Sequence, residues 1–200
     1  MDAKAETAIR PAKPEDASAI ADILTDAFTG DPVLSWMLGR EAPPRAFFFE
    51  LARGVYLARG FGHITGDKAA TLWLPAGEKP TLPLMNELRL AIALIGTCGS
   101  GAVIRALRVG EIVSAAHPKA PHYYLFAVGV RGSFKGQGHG GRILREGLAC
   151  VDAANAIAYL ENSNPRNTAL YQRVGFAVAA PLGLPKGAPP LLAMQRARAA

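Results

Sequence analysis

Val130-Arg131-Gly132-Ser133-Phe134-Lys135-Gly136-Gln137-Gly138-His139-Gly140-Gly141 is the stretch that decides the fold of this 200-residue chain. An apolar run of strand formers ends at Val130, and a helical stripe begins at Ile143. Glycines in a strand-to-helix turn let an anion approach exposed N–H groups at the positive end of the helix. The stretch therefore predicts a phosphate-binding turn.

The segments around this turn alternate between strand and helix patterns. Strands are predicted near residues 9–11, 61–64, 70–74, 123–130, 157–160, 176–178 and 190–194. Helices are predicted after Pro14, after Pro43, between 83 and 116 with a break near Gly99, after Gly141 and through Tyr171. We expect a mixed α/β (α+β) architecture, with residues 1–200 forming a single domain that carries a helical insert around 81–116.

Composition excludes several classes of protein. Half of the residues are hydrophobic, 19% are charged and two are cysteines, which argues against a disordered or disulfide-stapled chain. The net charge of +6 suits an anionic ligand without identifying one. Met1 to Thr7 has no apolar core, so we expect a cytoplasmic protein without an export signal. Cys98 and Cys150 are predicted to be buried free thiols.

The most apolar stretch lies between Arg89 and Arg105. It is shorter than the roughly 20 residues that span a bilayer, so no membrane association is expected. We predict a buried or pocket-lining helix there. Lys and Arg are scattered and no basic-aromatic platform is evident, which argues against nucleic-acid binding. The four His and two Cys show no metal-ligand spacing, so no metal site is predicted.

The glycine turn also fits a second class of protein. Gly136-x-Gly138-x-x-Gly141 satisfies the dinucleotide fingerprint, and Glu161 follows 20 residues later, where a ribose-binding acid is expected. An NAD(P)-binding oxidoreductase is therefore an alternative. Arg131 to Lys135 argue against it, because a dinucleotide turn follows its strand almost at once. A P-loop is excluded, since Gly-Lys-Ser/Thr occurs nowhere in the chain.

Two ordered motifs resemble those of the GNAT-type N-acetyltransferases. Val130-x-x-x-x-Lys135-Gly136-x-Gly138-x-Gly140 is similar to the family's coenzyme A loop, V-x-P-x-x-Q/R-G-x-G-x-G/A. The segment from Asn164 through Leu170-Tyr171 to Phe176 resembles its later N-x-x-x-x-x-L-Y-x-R-x-G-F. Short segments, His117-Pro118-Lys119 and Trp73-Leu74-Pro75, further resemble puromycin N-acetyltransferase and its relatives. The resemblance implies a GNAT-like fold whose central, mostly antiparallel sheet is splayed at a cofactor cleft and flanked by helices.

The resemblance implies acetyl-CoA as co-substrate. It assigns the coenzyme contacts to the cleft strand, the glycine turn and the segment after the second cleft strand, namely Val128, Gly129, Val130, Lys135, Gly136, Gln137, Gly138, His139, Gly140, Gly141, Asn164 and Asn167. Helix capping is an alternative role for Asn164. Gly132 replaces the family's proline and Lys135 its Gln or Arg. Neither departure touches the backbone amides, so coenzyme binding is expected to survive in a weaker form.

The resemblance also places the catalytic candidates. Tyr171 occupies the family's general-acid position, and a Tyr packed at a helix end is the alternative. Glu161 is the candidate general base by its position at the end of a cleft strand, with a solvated or ion-paired Glu as the alternative. His122 and Tyr124 are rival bases. His139 is interpreted as a loop residue.

The predicted activity is acetyl transfer to the primary amine of a small molecule, by direct attack in a ternary complex. The segment from residue 28 to residue 61 is rich in aromatic residues, which predicts either an apolar acceptor pocket or, equally, a helical core. The aromatic residues are Phe28, Trp36, Phe47, Phe48, Phe49, Tyr56 and Phe61. The glycine-bearing helices from 88 to 104 are candidates to cap that pocket. A non-catalytic acyl-CoA sensor, in which Gly132 and Lys135 mark functional drift, is a second alternative. A homodimer is possible by family resemblance.

Overall fold

A seven-stranded sheet organises residues 8–198, the part of the chain that the computed structural model describes. The strands are β1 (Ile9–Pro11), β2 (Phe61–Thr65), β3 (Ala69–Leu74), β4 (His122–Val130), β5 (Ile157–Asn162), β6 (Ala177–Leu182) and β7 (Leu191–Arg196). Their order is β1-β2-β3-β4-β5-β7-β6, and β4 with β5 is the parallel pair among antiparallel neighbours. This confirms the predicted mixed α/β, mostly antiparallel fold. The expectation for Met1 to Thr7 lies outside the described residues.

Eight α-helices accompany the sheet in residues 8–198. They are α1 (Ala17–Ala27), α2 (Pro32–Leu38), α3 (Arg45–Leu51), α4 (Leu57–Arg59), α5 (Leu84–Cys98), α6 (Ser100–Ala116), α7 (His139–Ala153) and α8 (Thr168–Gln172). A π-helical turn, Ala52–Tyr56, joins α3 to α4. The helix α2 was not predicted, although Asp31 accepts the Leu34 N–H as its N-cap and Pro32 follows at the first helical position.

Apolar residues on both faces of the sheet form its cores. On one face α1 and α3 pack over β3 and β4, burying Ile20, Leu24 and Phe48. On the other face α7 crosses the sheet and buries Leu144 and Leu148 against Trp73. The two helical layers fix both cleft strands in place.

Gly129 allows α1 to pack directly on β4. A Cβ built there lies 2.7 Å from Leu24 Cδ2 and 2.8 Å from Ala27 Cβ. Both distances are shorter than ordinary van der Waals contacts, so a larger residue must push the helix away from the strand.

We expect Gly129→Ala to lower the free energy of unfolding by about 1–3 kcal/mol, because overpacking forces the helix or the strand to shift. Gly96→Ala in α5 is the matched control, since its Cβ meets nothing within 4 Å. In a helix interior, that change is expected to stabilise by about 0.5–1 kcal/mol. Urea unfolding of the two variants measures both effects. Equal free energies would show that α1 does not depend on the close approach.

Strands β4 and β5 diverge after a short parallel pairing. The register runs from His122–Ile157 to Tyr124–Tyr159. Strand β4 then continues to Val130 and β5 to Asn162, each hydrogen-bonded on its other edge to β3 and β7 respectively. The far half of β4 therefore faces a wedge-shaped opening, the splayed cleft.

The α5–α6 pair corrects the prediction for the apolar stretch 89–105. Gly99 separates the two helices, as expected. Leu94 and Ala102 are buried, but Ile92 is 61% and Ile104 67% exposed. The helices pack against α3 and α2 on one side only, so each helix keeps an apolar face in contact with water.

Both cysteines are free thiols, but they are not buried. Cys98 is half-buried at the end of α5, and Cys150 is exposed. Residues Ile143, Leu144, Leu148 and Val151 occupy the inward stripe of α7. Cys150 lies off that stripe, so helical periodicity turns it towards water.

Candidate active site

The splayed cleft is a cavity of about 300 Å³ between β4, α8 and the C-terminal end of α1. Seven of the predicted coenzyme residues line it, namely Val128, Gly129, Val130, Lys135, Gly140, Asn164 and Asn167. Tyr171 lines the same cavity. The structure therefore brings the β4 and α8 candidates together around one space.

The glycine turn has the backbone conformation of an anion-binding loop. Gly136 and Gly138 adopt φ of 79° and 80°, a left-handed conformation that favours glycine. A Cβ added at either position meets nothing within 4 Å, so one side of the turn is open. The 15-residue helix α7 begins directly after Gly138, with its N–H groups at this end. Turn and helix together fit a pyrophosphate group.

A second cavity, of about 410 Å³, lies beside the turn and is called the loop-side cavity. It is lined by Gly138 and Gly141 together with two arginines, Arg145 and Arg173. The predicted residues Gly136, Gln137 and His139 line neither cavity. His139 is buried, with its ring edge-on to Phe134, and burial lowers its pKa. His139 is the first residue of α7, so the structure places it in the helix instead of in the loop before it.

Gly132, which stands where the family's motif has proline, makes a hydrogen bond to a distant residue, Asp26. The Gly132 N–H donates to Asp26 Oδ2 at 2.6 Å, a bond that proline could not make. Lys135 Nζ donates to the carbonyl of Ala27 at 3.3 Å. The turn is therefore tied to the C-terminal end of α1 by two residues that depart from the family's pattern.

We expect Asp26→Ala to weaken acetyl-CoA binding several-fold, because one exposed, charge-assisted bond contributes about 1 kcal/mol. In a Gly132→Pro background the same change should have no effect, since no N–H remains to pair with Asp26. Isothermal titration of the four proteins completes the cycle. An equal loss in both backgrounds would show that Asp26 acts on the turn by another contact.

Asp31 is a cleft residue that sequence analysis missed. It lines the splayed cleft and is buried, with Oδ1 accepting the Leu34 N–H at 3.0 Å and Oδ2 accepting the Ser163 hydroxyl at 2.6 Å. Burial raises its pKa. The Asp31-Pro32 pair is a helix-start signal that could have identified it as an N-cap, but not its contact with Ser163.

A third cavity, called the inner cavity, adjoins the splayed cleft. It measures about 230 Å³ and shares four wall residues with the cleft: Phe28, Val128, Asn167 and Tyr171. Aromatic and aliphatic side chains form most of its wall, contributed by α2, α3, α6 and β4. Of the predicted aromatic cluster, Phe28, Phe47 and Phe48 line this cavity.

The cap of the inner cavity differs from the prediction. Helix α6 supplies it through Ala106, Val109, Gly110 and Val113, whereas none of residues 88–104 lines the cavity. The chain turns back at Gly99, so the later part of α6 reaches the cavity above β4.

Among the described residues that line the inner cavity, Glu161 is the one that carries a carboxylate. Its side chain is 7% exposed. Tyr124 donates its hydroxyl to Oε2 at 2.8 Å, whereas Oε1 is buried without a hydrogen-bond partner. Burial raises the pKa of Glu161 to about 7, against the opposing effect of hydrogen bonding from tyrosine. A carboxylate whose pKa is about 7, and which has one oxygen without a hydrogen-bond donor, can accept a proton at physiological pH.

Of the two rival bases, Tyr124 contacts Glu161 directly, whereas His122 reaches it through His117. Tyr124 is the donor to Glu161, and its burial raises its pKa well above 10, so it holds its proton. His122 lies further away and contacts His117. His117, which sequence analysis did not consider as a base, has its Nε2 3.5 Å from Glu161 Oε1. These residues form one cluster around Glu161.

Tyr171 lies at the boundary between the splayed cleft and the inner cavity. It is buried on α8, packs edge-on against Phe176 and lines both the splayed cleft and the inner cavity. Burial raises the pKa of its phenol, and the negative charge of Asp31 raises it further. The group is therefore protonated at neutral pH, as a proton donor must be.

The topology excludes the dinucleotide alternative. Strand β4 pairs parallel with β5 over only three residue pairs, and every other pairing in the described sheet is antiparallel, whereas a dinucleotide-binding sheet is built on successive parallel strands. Glu161 points into the apolar inner cavity instead of towards the turn.

Comparison with known proteins identifies the class. Residues 73–176 match the model of the acetyltransferase (GNAT) family. The chain belongs to this family and is an acyltransferase. Family members use acetyl-CoA, and the cleft and glycine turn fit that co-substrate.

Three solved structures illustrate the similarity. Histone acetyltransferase HPA2 and related acetyltransferase from Corynebacterium glutamicum ATCC 13032 is 25% identical, with a TM-score of 0.70 over 97% of each chain. Arylalkylamine N-acetyltransferase 2 from Aedes aegypti is 11% identical, with a TM-score of 0.60 over 94% of this chain and 98% of that one. Drosophila melanogaster polyamine N-acetyltransferase is 14% identical, with a TM-score of 0.59 over the same shares. The last two support the fold alone.

No helix within residues 8–198 is long and apolar enough to cross a membrane.

Proposed function

We propose that this protein transfers the acetyl group of acetyl-CoA to the primary amine of a small molecule by direct attack in a ternary complex. The observation that carries the proposal is the shared wall between the splayed cleft and the inner cavity. A donor in the cleft and an acceptor in the cavity would meet at Val128 and Tyr171. When bound, acetyl-CoA supplies an acetyl group activated as a thioester.

The cleft residues would hold the donor. Backbone groups of Val128, Gly129 and Val130 would pair with its pantetheine arm as an added strand does, because this half of β4 lacks a β5 partner. One N–H of this strand would stabilise the negative charge that develops on the thioester carbonyl oxygen. The glycine turn and α7 would hold the pyrophosphate, and Asn164 and Asn167 would anchor the arm.

Glu161 and Tyr171 would move the protons. Glu161, at the wall of the inner cavity, would take the proton of the acceptor ammonium, because only a neutral amine attacks. Tyr171 would then give its proton to the departing thiolate from the other side of the wall and regain one from the nitrogen that has been acetylated. Family membership supports acetyl transfer, and structures of the same fold are named as N-acetyltransferases of arylalkylamines and of polyamines. The likeness of short segments to puromycin N-acetyltransferase stays a prediction.

Ligand-dependent thermal shifts and thiol release test this function. Acetyl-CoA and coenzyme A should each stabilise the protein, by about 2.7 kcal/mol at 100 times Kd, whereas NADH and NADPH should not. Release of free thiol with a panel of primary amines should then reveal turnover. Binding of acetyl-CoA without turnover on any amine, peptide or water would favour the sensor alternative, and stabilisation by the nicotinamide nucleotides alone would contradict the coenzyme assignment.

A further inference from the structure

The inner cavity has one charged group in a mostly apolar wall. Phenylalanines surround it, namely Phe28, Phe47, Phe48 and Phe126, together with aliphatic residues of α2 and α6. That group is Glu161, whose Oε1 is buried without a hydrogen-bond donor, 3.5 Å from His117 Nε2. A buried carboxylate without a compensating positive charge is unfavourable, and an ammonium group on a bound ligand would supply that charge.

Among the described residues, no second carboxylate lines the inner cavity. Asp31 lies in the neighbouring cleft, but both of its oxygens already accept hydrogen bonds, from the Leu34 N–H and the Ser163 hydroxyl. Beyond Tyr124 and Phe126 the inner cavity meets an outer cavity, of about 680 Å³. There Glu78 is outnumbered by Lys79 and Lys119. The outer wall therefore repels a second positive charge.

The size of the inner cavity fits a single ring. Its volume is about 230 Å³. A dry apolar cavity of roughly 150 Å³ is known to take up benzene. There is room for one aromatic ring with a short alkyl chain, the amine being at Glu161.

We infer that the acceptor is a small amine with one ammonium group and an apolar, aromatic body, and that diamines and polyamines are rejected. This inference rests on the proposed function. A second ammonium in the mostly apolar inner wall would be buried without a partner, and in the outer cavity it would lie beside two exposed lysines with no net negative charge to attract it.

Kinetics with matched amines test the inference. With 2-phenylethylamine, thiol release from acetyl-CoA should have a kcat/KM about 100-fold or more above that with putrescine, agmatine or spermidine, because an uncompensated buried charge is rejected strongly. An equal or higher kcat/KM with the polycations would overturn this selectivity while leaving acetyl transfer intact. An absence of thiol release with every amine would instead remove the proposed function.

A charge introduced in the wall should reverse the preference. Val113 lines both the inner and the outer cavity and is half-buried, so Val113→Glu adds a second carboxylate at the boundary. The ratio of kcat/KM for putrescine over 2-phenylethylamine should rise about tenfold or more. Val113→Gln is the matched neutral control and should leave the ratio near that of the wild type. Stabilisation by acetyl-CoA in both variants shows that they fold, and an unchanged ratio in Val113→Glu would overturn the inference.

A different observation concerns the two histidines behind Glu161. His122 Nδ1 lies 2.8 Å from the carbonyl oxygen of Ala120, which can only accept, so Nδ1 carries a proton. In neutral His122 the other nitrogen, Nε2, is then an acceptor. It lies 2.9 Å from His117 Nδ1, which must therefore donate. The tautomers of both rings follow from one backbone carbonyl.

The lone pair of His117 consequently faces the carboxylate. His117 Nε2 and Glu161 Oε1, 3.5 Å apart, are both acceptors when Glu161 is ionised. One added proton turns this repulsion into a hydrogen bond. Burial and the neighbouring His122 lower the pKa of His117 to about 4, so His117 passes a proton on more readily than it keeps one.

We propose that His117 and His122 carry the proton from Glu161 to solvent after each turnover, a step that also rests on the proposed function. The proton on Glu161 Oε1 moves to His117 Nε2, and the Nδ1 proton of His117 moves to His122 Nε2. His122, at the wall of the outer cavity, is then a cation and loses its Nδ1 proton to water. Each ring now holds the opposite tautomer, and proton exchange with water in the outer cavity, which both rings line, restores the starting tautomers before the next turnover. The groups facing the pair are Glu161 and Tyr159 from β5, Tyr124 from β4, and Lys79, Lys119 and Glu78 around the outer cavity.

Chemical rescue tests the relay. His117→Ala should lower kcat about tenfold or more while acetyl-CoA affinity is kept, and added imidazole should restore turnover by entering the vacated space at the outer cavity. His122→Gln should lower kcat similarly, and the double variant should be no slower than His117→Ala, because a relay is broken once. Wild-type kcat in both single variants, or a loss that imidazole does not reverse, would overturn the relay. Thiol release by the wild-type protein separates this result from a failure of the proposed function.

Discussion

Replacing Glu161 by glutamine is expected to lower kcat/KM by about 10²–10⁴-fold and, at the same time, to stabilise the fold above pH 7. The loss of rate follows because glutamine cannot take the proton of the acceptor ammonium. The amide oxygen can still accept the Tyr124 hydroxyl that now donates to Oε2. The change therefore removes the proton acceptor with little change in shape.

The gain in stability follows from the raised pKa. In the folded protein the pKa of Glu161 is about 7, against 4.5 for an unperturbed glutamate. A raised carboxyl pKa favours folding fully below the unfolded value, and that contribution is lost as the pH rises through the folded value. At pH 8 the wild type therefore carries a penalty of about 3 kcal/mol that glutamine does not. This corresponds to a Tm higher by roughly 6–12 °C in the variant at pH 8, shrinking to no difference near pH 4.

Calorimetry between pH 4 and pH 8 and steady-state thiol release measure the two effects. In the wild type, kcat/KM should fall as the pH drops below about 7, because the base becomes protonated. The matched control is Glu50→Gln, which changes another buried carboxylate that lies outside the cavities and accepts from Asn86. Its turnover should stay near that of the wild type. A Glu161→Gln protein with full activity would remove the base role from this residue.

The glycine turn and the cleft strands could be predicted because their signals are local. The positive φ angles of Gly136 and Gly138 require glycine, and the strand and helix around them have clear apolar periods. Tyr171 followed from a motif within one short segment. These features depend on residues that are close in the sequence, so they could be predicted from the sequence alone.

The parts that escaped prediction depend on contacts between distant segments. Asp31 and Ser163 are 132 residues apart, and Asp26 and Gly132 are 106 apart. The role of His117 depends on the register of β4 beside β5, which brings its ring to Glu161. Exposure on α5 and α6 likewise depends on which neighbours cover them. No local pattern reports such pairings.

Tyr171→Phe is expected to lower kcat by about 10²–10⁴-fold while leaving acetyl-CoA affinity nearly intact. The phenyl ring keeps the packing against Phe176 and the wall between the splayed cleft and the inner cavity. The hydroxyl alone is lost. Burial and Asp31 raise the pKa of this phenol, so it stays protonated over the working pH range. Because that pKa lies above the value of about 8.5 for the departing thiol, the transfer relies on charge that develops on the sulfur in the dry cleft, beside the hydroxyl.

Steady-state kinetics and titration with acetyl-CoA distinguish this role from packing. Tyr123→Phe removes the same hydroxyl from a tyrosine that packs against Phe61 on the other face of β4, so its kcat should match that of the wild type. If Tyr171 only supported the cavity wall, the phenylalanine variant would keep its kcat and shift its melting temperature instead. A loss of kcat with unchanged acetyl-CoA affinity is expected only when the hydroxyl acts on the reaction itself, since binding and the shape of the wall are then both preserved.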